Sequence, residues 1–115
     1  MSLFNWNELP KEQLNPNLLR QVIHTGNMTI ARLELRAGSS VPVHAHHNEQ
    51  VSMVLTGKLK FTVDGHEVLV GPGQSLELKP NQPHGVEVLE DAVAIDVFSP
   101  PREDWITGDD AYLRG

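Results

Sequence analysis

Cysteine is missing from all 115 residues. Disulfides and thiolate metal ligands are therefore excluded, and the chain suits a reducing compartment such as the cytoplasm. No apolar run approaches the roughly 20 residues of a membrane-spanning helix. The first ten residues, Met1 to Pro10, lack the basic and apolar regions of a signal peptide, so no association with a membrane is expected. Positive charge is scarce, with nine Lys and Arg against fifteen Asp and Glu and a net charge of −6. No basic stripe of the kind that holds nucleic acid is present, and no nucleic-acid partner is expected. Repeats, low-complexity tracts and linkers are absent too. The length is that of one domain, spanning 1–115, and is enough to bury a core without staples. What the chain does have is histidine: six residues, of which His44, His46 and His47 fall within four positions.

Residues 1–19 read as an irregular arm, because Pro10 and Pro16 interrupt it and leave room for a helical turn at most. Over residues 20–98 the pattern changes to short runs separated by Gly, Pro, Asn and Asp. Candidate strands are 20–24, 28–35, 51–55, 58–63, 66–70, 75–78, 85–89 and 92–98. Residues 58–63 (KLKFTV) alternate polar and apolar, as a half-buried strand does. Asp64-Gly65 follows at once, a two-residue turn that needs positive φ, and 66–70 returns as the second arm of a hairpin. Many short strands at this spacing predict an all-β sandwich or barrel with its core at about 20–98. Pro100 and Pro101 end the last strand, since proline cannot continue a ladder. The acidic tail, 99–115, reads as irregular and partly ordered.

His44-Ala45-His46 is the informative segment. On a strand, residues two apart share a face, so both rings would aim at one point inside a barrel. Neutral imidazole binds Zn, Ni, Cu and Fe well. An HxH pair alone is a weak signal, because surface histidine pairs are common. Here it is joined by Gln50 four residues on, by Gly38 and Gly57 on either side, and by a distant His84 that follows Pro80-Asn-Gln-Pro83. This arrangement resembles the two motifs of the cupin superfamily. The first reads G-x5-H-x-H-x3-E-x6-G and corresponds to Gly38, His44, His46, Gln50 and Gly57, with glutamine in the glutamate place. The second corresponds to Gly71-Pro-Gly73, Pro80 and His84, without its usual later asparagine. The resemblance covers about residues 25–98. It implies a jelly-roll β-barrel holding one divalent metal ion, with Ni, Zn, Fe, Co and Mn all suited to three nitrogens and an oxygen. Glu49 is the more usual ligand type but has the opposite strand parity to Gln50. Glu49 and His47 are read as facing solvent or a dimer contact.

A second cluster lies at the end of the last strand. Asp96 sits inside the apolar run 92–98, where an unpaired carboxylate is rare. Either it is paired, for instance in an Asp96–Arg102 ion pair that ties down the tail, or it points into a polar cavity. The stretch IDVFSPPRED, residues 95–104, together with the earlier H-x-H-x-x-E-Q, is similar to the small pectin-degradation cupins, which linearise 4,5-unsaturated uronates. That resemblance implies metal ligands His44, His46, Gln50 and His84. It also implies Asp96 as proton-transfer group, Phe98 packing on the sugar, and Arg102 as clamp for the substrate carboxylate. Three imidazoles and an amide are neutral, so the ion would keep its full charge toward an anion.

The substrate expected on this reading is a small sugar acid. Two alternatives belong to other classes: another metal-dependent cupin enzyme such as a dioxygenase, and a non-catalytic sugar-acid-binding module. Small cupins usually dimerise, so a homodimer is expected, with Leu3, Phe4 and Trp6 of the arm available to a partner. His24 and His66 are assigned no role.

Overall fold

The computed structural model describes residues 1–114. Eight strands run in the order β1 (Glu12–Asn15), β2 (Leu18–His24), β3 (Thr29–Leu35), β4 (Ser40–His44), β5 (Glu49–Val63), β6 (His66–Val70), β7 (Ser75–Leu78) and β8 (His84–Ser99). Two four-residue helices follow, α1 (Glu103–Ile106) and α2 (Ala111–Arg114). All pairings are antiparallel.

The long strands β5 and β8 belong to both walls of the barrel. The first half of β5 pairs with the last half of β8, Gln50 opposite Phe98 and Val54 opposite Ala94. The second half of β5 pairs with the start of β8, Leu59 opposite Val88 and Val63 opposite His84. Register shifts between Val54 and Leu59 make the corner where both strands pass from one wall to the other. Gly57 sits there with φ +81°. A Cβ at this residue would meet the Asp91 carbonyl and come within 2.7 Å of the Ala92 Cα. The corner therefore requires glycine for space as well as for φ. Strands β3, β2 and β1 extend the first wall from β8, and β7 pairs with the first half of β5; β4 and β6 complete the second wall. The inward positions alternate along each strand and bury Leu18, Ala31, Leu35, Val54, Leu59, Phe61, Leu78, Val88, Ala92, Ala94 and Phe98.

The all-β barrel and the Asp64-Gly65 hairpin match the sequence reading, with φ +49° and +81° at the two turn residues and Val63 opposite His66. Four local features differ. Part of the arm is a hairpin: β1 folds back on β2 through Pro16-Asn17, and Asn15 Oδ1 accepts the Asn17 N–H. Proline and asparagine thus make a turn there, where the sequence suggested only disruption. Candidates 51–55 and 58–63 are one bent strand, as are 85–89 and 92–98, because a bulged corner looks like a break in periodicity. The tail carries two short helices in place of an irregular run, and both bury an apolar residue against the barrel, Trp105 and Leu113. Finally, β4 ends at His44, so His46 lies beyond the strand. In the monomer Leu3 and Phe4 are exposed and Trp6 is half-buried.

Candidate metal centre and cavity

His44, His46 and His84 come together although no single strand carries them. His44 and His84 are direct partners across β4 and β8, with ring centroids 4.5 Å apart. His46 reaches the same point from the loop, 5.6 Å from His44 and 5.0 Å from His84. Buried Asn48 secures that loop: its side-chain amide donates to the Pro100 and Pro101 carbonyls at 2.6 and 3.2 Å. The Asn81 N–H donates to the His46 carbonyl at 2.7 Å. Convergence of the HxH pair is thus a product of loop anchoring, where the sequence suggested strand parity. One ligand nitrogen from each of the three rings lies within 4.8 Å of the others.

The tautomers follow from the hydrogen bonds. Each Nδ1 faces a backbone carbonyl: Pro42 for His44 at 2.8 Å, Asn48 for His46 at 3.1 Å, and Gln82 for His84 at 2.8 Å. A carbonyl only accepts, so each Nδ1 carries the hydrogen and each Nε2 presents a lone pair. Burial holds the pKa of all three rings below the ordinary imidazole value, that of His46 down to about 4, so they are neutral at pH 7. Next to them the Gln50 amide oxygen lies 3.0 Å from His46 Nε2. With His46 neutral, two lone pairs then face each other. That contact is unfavourable by itself and becomes favourable once a cation sits between them. The donor set, three neutral imidazoles and an amide oxygen, fits a divalent transition metal.

Gln50 is buried and faces inward, whereas Glu49 and His47 are exposed. Gln50 also donates its Nε2 to Ser52 Oγ at 2.9 Å. Ser52 is fully buried and stands directly opposite Asp96 in the β5–β8 ladder. Asp96 and Phe98 line a cavity with Gln50, His44, His84 and Arg102, and Trp105, Tyr112 and Leu113 of the tail line it too. Burial pushes the Asp96 carboxyl up to about 6, opposed by the Ser52 hydroxyl and by the Arg102 charge.

Of the two readings of Asp96, the ion pair with Arg102 is not formed. Arg102 instead gives Nε and Nη2 to Asp104, two residues along the tail, at 2.9 and 2.7 Å. It also donates Nη2 to the Tyr112 hydroxyl. Its guanidinium lies over Phe98 at 4.8 Å and over Trp105 at 4.4 Å. The resemblance implies Arg102 as a clamp for a substrate carboxylate; here Asp104 occupies one edge of its fork and Nη1 is left without a protein partner among the described residues. Phe98 supports this arrangement, with Arg102 on its ring and the edges of His46 and Trp105 against it. A second buried guanidinium, Arg20, stacks on Trp105 at 4.5 Å and pairs with Asp110 at 2.9 Å, fastening the tail to β2.

Sequence reasoning missed Ser52, Asp104, Tyr112 and Arg20. Ser52 left a readable trace: a small polar residue in step with Gln50 on the inward face of an apolar strand. The others depend on how the tail folds back.

Residues 31–98 match the family described as Cupin domain. This chain belongs to the cupin family. Over 102 residues it is 28% identical to the pectin degradation protein KdgF of Dickeya dadantii, covering 86% of this chain and 93% of that one. The solved structure of KdgF from Halomonas sp. superposes with a TM-score of 0.84 at 26% identity, over 90% of this chain and 99% of the other. An RmlC-like cupin from Shewanella frigidimarina gives 0.86 at 28% identity, over 91% and 96%. The likeness to KdgF extends over 86–90% of this cupin.

Proposed function

We propose that this cupin converts 4,5-unsaturated monouronates, the products of pectin or alginate cleavage, to linear 5-keto-4-deoxyuronate. The observation that carries the reading is the pairing, in one cavity, of a neutral four-donor metal site with a carboxyl poised near neutrality and a guanidinium with a free donor. The similarity to KdgF supports it. The reaction is an isomerisation. The ring C1–O bond breaks, the C1 hydroxyl proton leaves as the aldehyde forms, and the enol at C5 becomes a ketone as C4 takes a proton. Nothing is oxidised or reduced and no water is consumed.

His44, His46, His84 and Gln50 would hold one divalent ion. When bound, that ion supplies Lewis-acid polarisation of substrate oxygens. Asp96 accepts and returns the proton, a task for which burial, by raising its carboxyl, suits it. Arg102 Nη1 attracts the uronate carboxylate, and its stacking on Phe98 and Trp105 fixes its plane. The cavity measures about 60 Å³, against the ~300–1,000 Å³ of typical small-molecule sites. The cavity therefore has to widen to admit a sugar ring.

The test is incubation of metal-loaded protein with unsaturated galacturonate, following the ultraviolet absorbance of the C4=C5 bond. Loss well above the spontaneous rate is expected. Decay at the spontaneous rate with every suitable metal would overturn the reading.

A further inference from the structure

A glutamine side chain can ligate a cation only through its oxygen, yet its amide fits almost equally well when turned end for end. In this site the wrong orientation has its own attraction. With the amide reversed, Nε2 would donate to the lone pair that His46 Nε2 presents 3.0 Å away. The apo site would then be satisfied by a hydrogen bond and closed to metal. Something must pay for the orientation that leaves two lone pairs face to face.

We propose that Ser52 is the positioning residue that holds the Gln50 oxygen toward the three histidines. Its Oγ lies 2.9 Å from Gln50 Nε2 and is the amide's hydrogen-bond partner on that side. Ser52 is completely buried, so no solvent can replace it. A hydroxyl has one proton and two lone pairs. Asp96 stands directly opposite in the ladder, on the same face, and a hydroxyl proton turned to that carboxylate leaves the oxygen as an acceptor toward Gln50. The polarity of the chain Asp96–Ser52–Gln50–His46 is thus set from the carboxylate end. The register that places Ser52 opposite Asp96 also places Gln50, two residues back on the same face, against His46. A reversed amide would leave Gln50's oxygen facing the acceptor side of Ser52, a buried mismatch worth avoiding.

The proposal rests on the metal-site reading and is independent of the substrate. It is tested on the full chain with Ni²⁺ alone, by calorimetry, comparing wild type, Ser52→Ala and Ser52→Thr. A loss of an outer partner of a metal ligand typically weakens affinity about 10- to 100-fold, and that loss is expected for Ser52→Ala, with Ser52→Thr recovering most of it. A second readout needs no metal: the side-chain amide protons of Gln50 in the apo protein, observed by NMR, should be protected from exchange in wild type and lose protection in Ser52→Ala. Wild-type affinity and protection in Ser52→Ala overturn the assignment. So does a Ser52→Thr chain that folds with the wild-type amide spectrum and is as weak as Ser52→Ala, since the effect then follows packing and not the hydroxyl. A wild-type chain that binds no Ni²⁺, Zn²⁺, Fe²⁺, Co²⁺ or Mn²⁺ removes the metal-site reading itself, an outcome distinct from equal binding by wild type and variant.

Discussion

Asp104 grips Arg102 at two points, 2.9 Å from Nε and 2.7 Å from Nη2, and so takes the counter-ion role that Asp96 was one candidate to fill. Asp96 is thereby left in the cavity opposite Ser52, with no ion pair among the described residues. The tail carries its own acid for its own base. As a result the two carboxyls divide the work: Asp104, held below the usual carboxylate range by Arg102 against the opposing effect of burial, stays ionised, and Asp96 is able to exchange a proton.

Replacing Arg102 with Lys removes the planar fork, the pair with Asp104 and the stacking on Phe98 and Trp105. A hydrogen bond to a charged group contributes about 1.5–3 kcal/mol, so KM for an anionic substrate should rise roughly 10- to 100-fold with a smaller change in kcat. Steady-state kinetics on the unsaturated uronate read this directly, and an unchanged KM argues against the carboxylate contact.

Asp96→Asn should retain metal and lose turnover. It should also stabilise the apo fold in a pH-dependent way. The native Asp96 pKa of about 6 stands above the ordinary 3.8, so between those values the folded state keeps a proton that the unfolded chain releases. The contribution of Asp96 to stability therefore falls as pH rises through that window and is constant above it. The variant lacks this loss, so its advantage over wild type should grow from pH 4 to 6 and level off at about 3 kcal/mol. Urea titrations of both apo proteins at several pH values check the sign. An advantage that shrinks with pH would show that Asp96 ionises easily in the fold.

Gln50→Glu places a negative charge among the ligands, while Glu49→Gln changes an exposed residue. The first should keep metal but lower turnover at least about tenfold by neutralising part of the ion's charge. The second should leave metal affinity and rate at wild-type values. Loss of metal in Glu49→Gln would exchange the roles of these neighbours.

Asp110→Ala strips buried Arg20 of its closest partner and, among the described residues, leaves it only the carboxylate of Glu12, which is partly exposed. Breaking a buried pair by removing one side costs about 3 kcal/mol or more, and the tail should loosen from β2. Chemical denaturation measures the cost. Faster quenching of tryptophan fluorescence would report the loosening, because Trp105 is clasped between Arg20 and Arg102.

The legible parts of this protein were local. The Asp64-Gly65 turn is fixed by two adjacent residues that accept positive φ. The strands of the barrel follow from period-two burial, and Gln50 facing inward with Glu49 outward follows from the same alternation. The chemistry of the histidines was legible as well, since imidazoles at 44, 46 and 84 with glycines at 38 and 57 form a pattern that does not need coordinates. Even so, the reason given for their convergence was incomplete. His46 is delivered by a loop that Asn48 ties to Pro100 and Pro101, more than fifty residues away.

What the sequence by itself determined is the all-β barrel, its principal turns and the set of residues that can ligate metal. Alternation and turn stereochemistry act between near neighbours, and those are visible in the order of residues. Only the tertiary structure decided that Arg102 belongs to Asp104, that Arg20 and Asp110 fasten the tail, and that Ser52 stands between Gln50 and Asp96. These depend on the register of β5 against β8 and on the path of the tail across the barrel mouth. Both are fixed by the burial of many side chains at once, so no short stretch of sequence contains them.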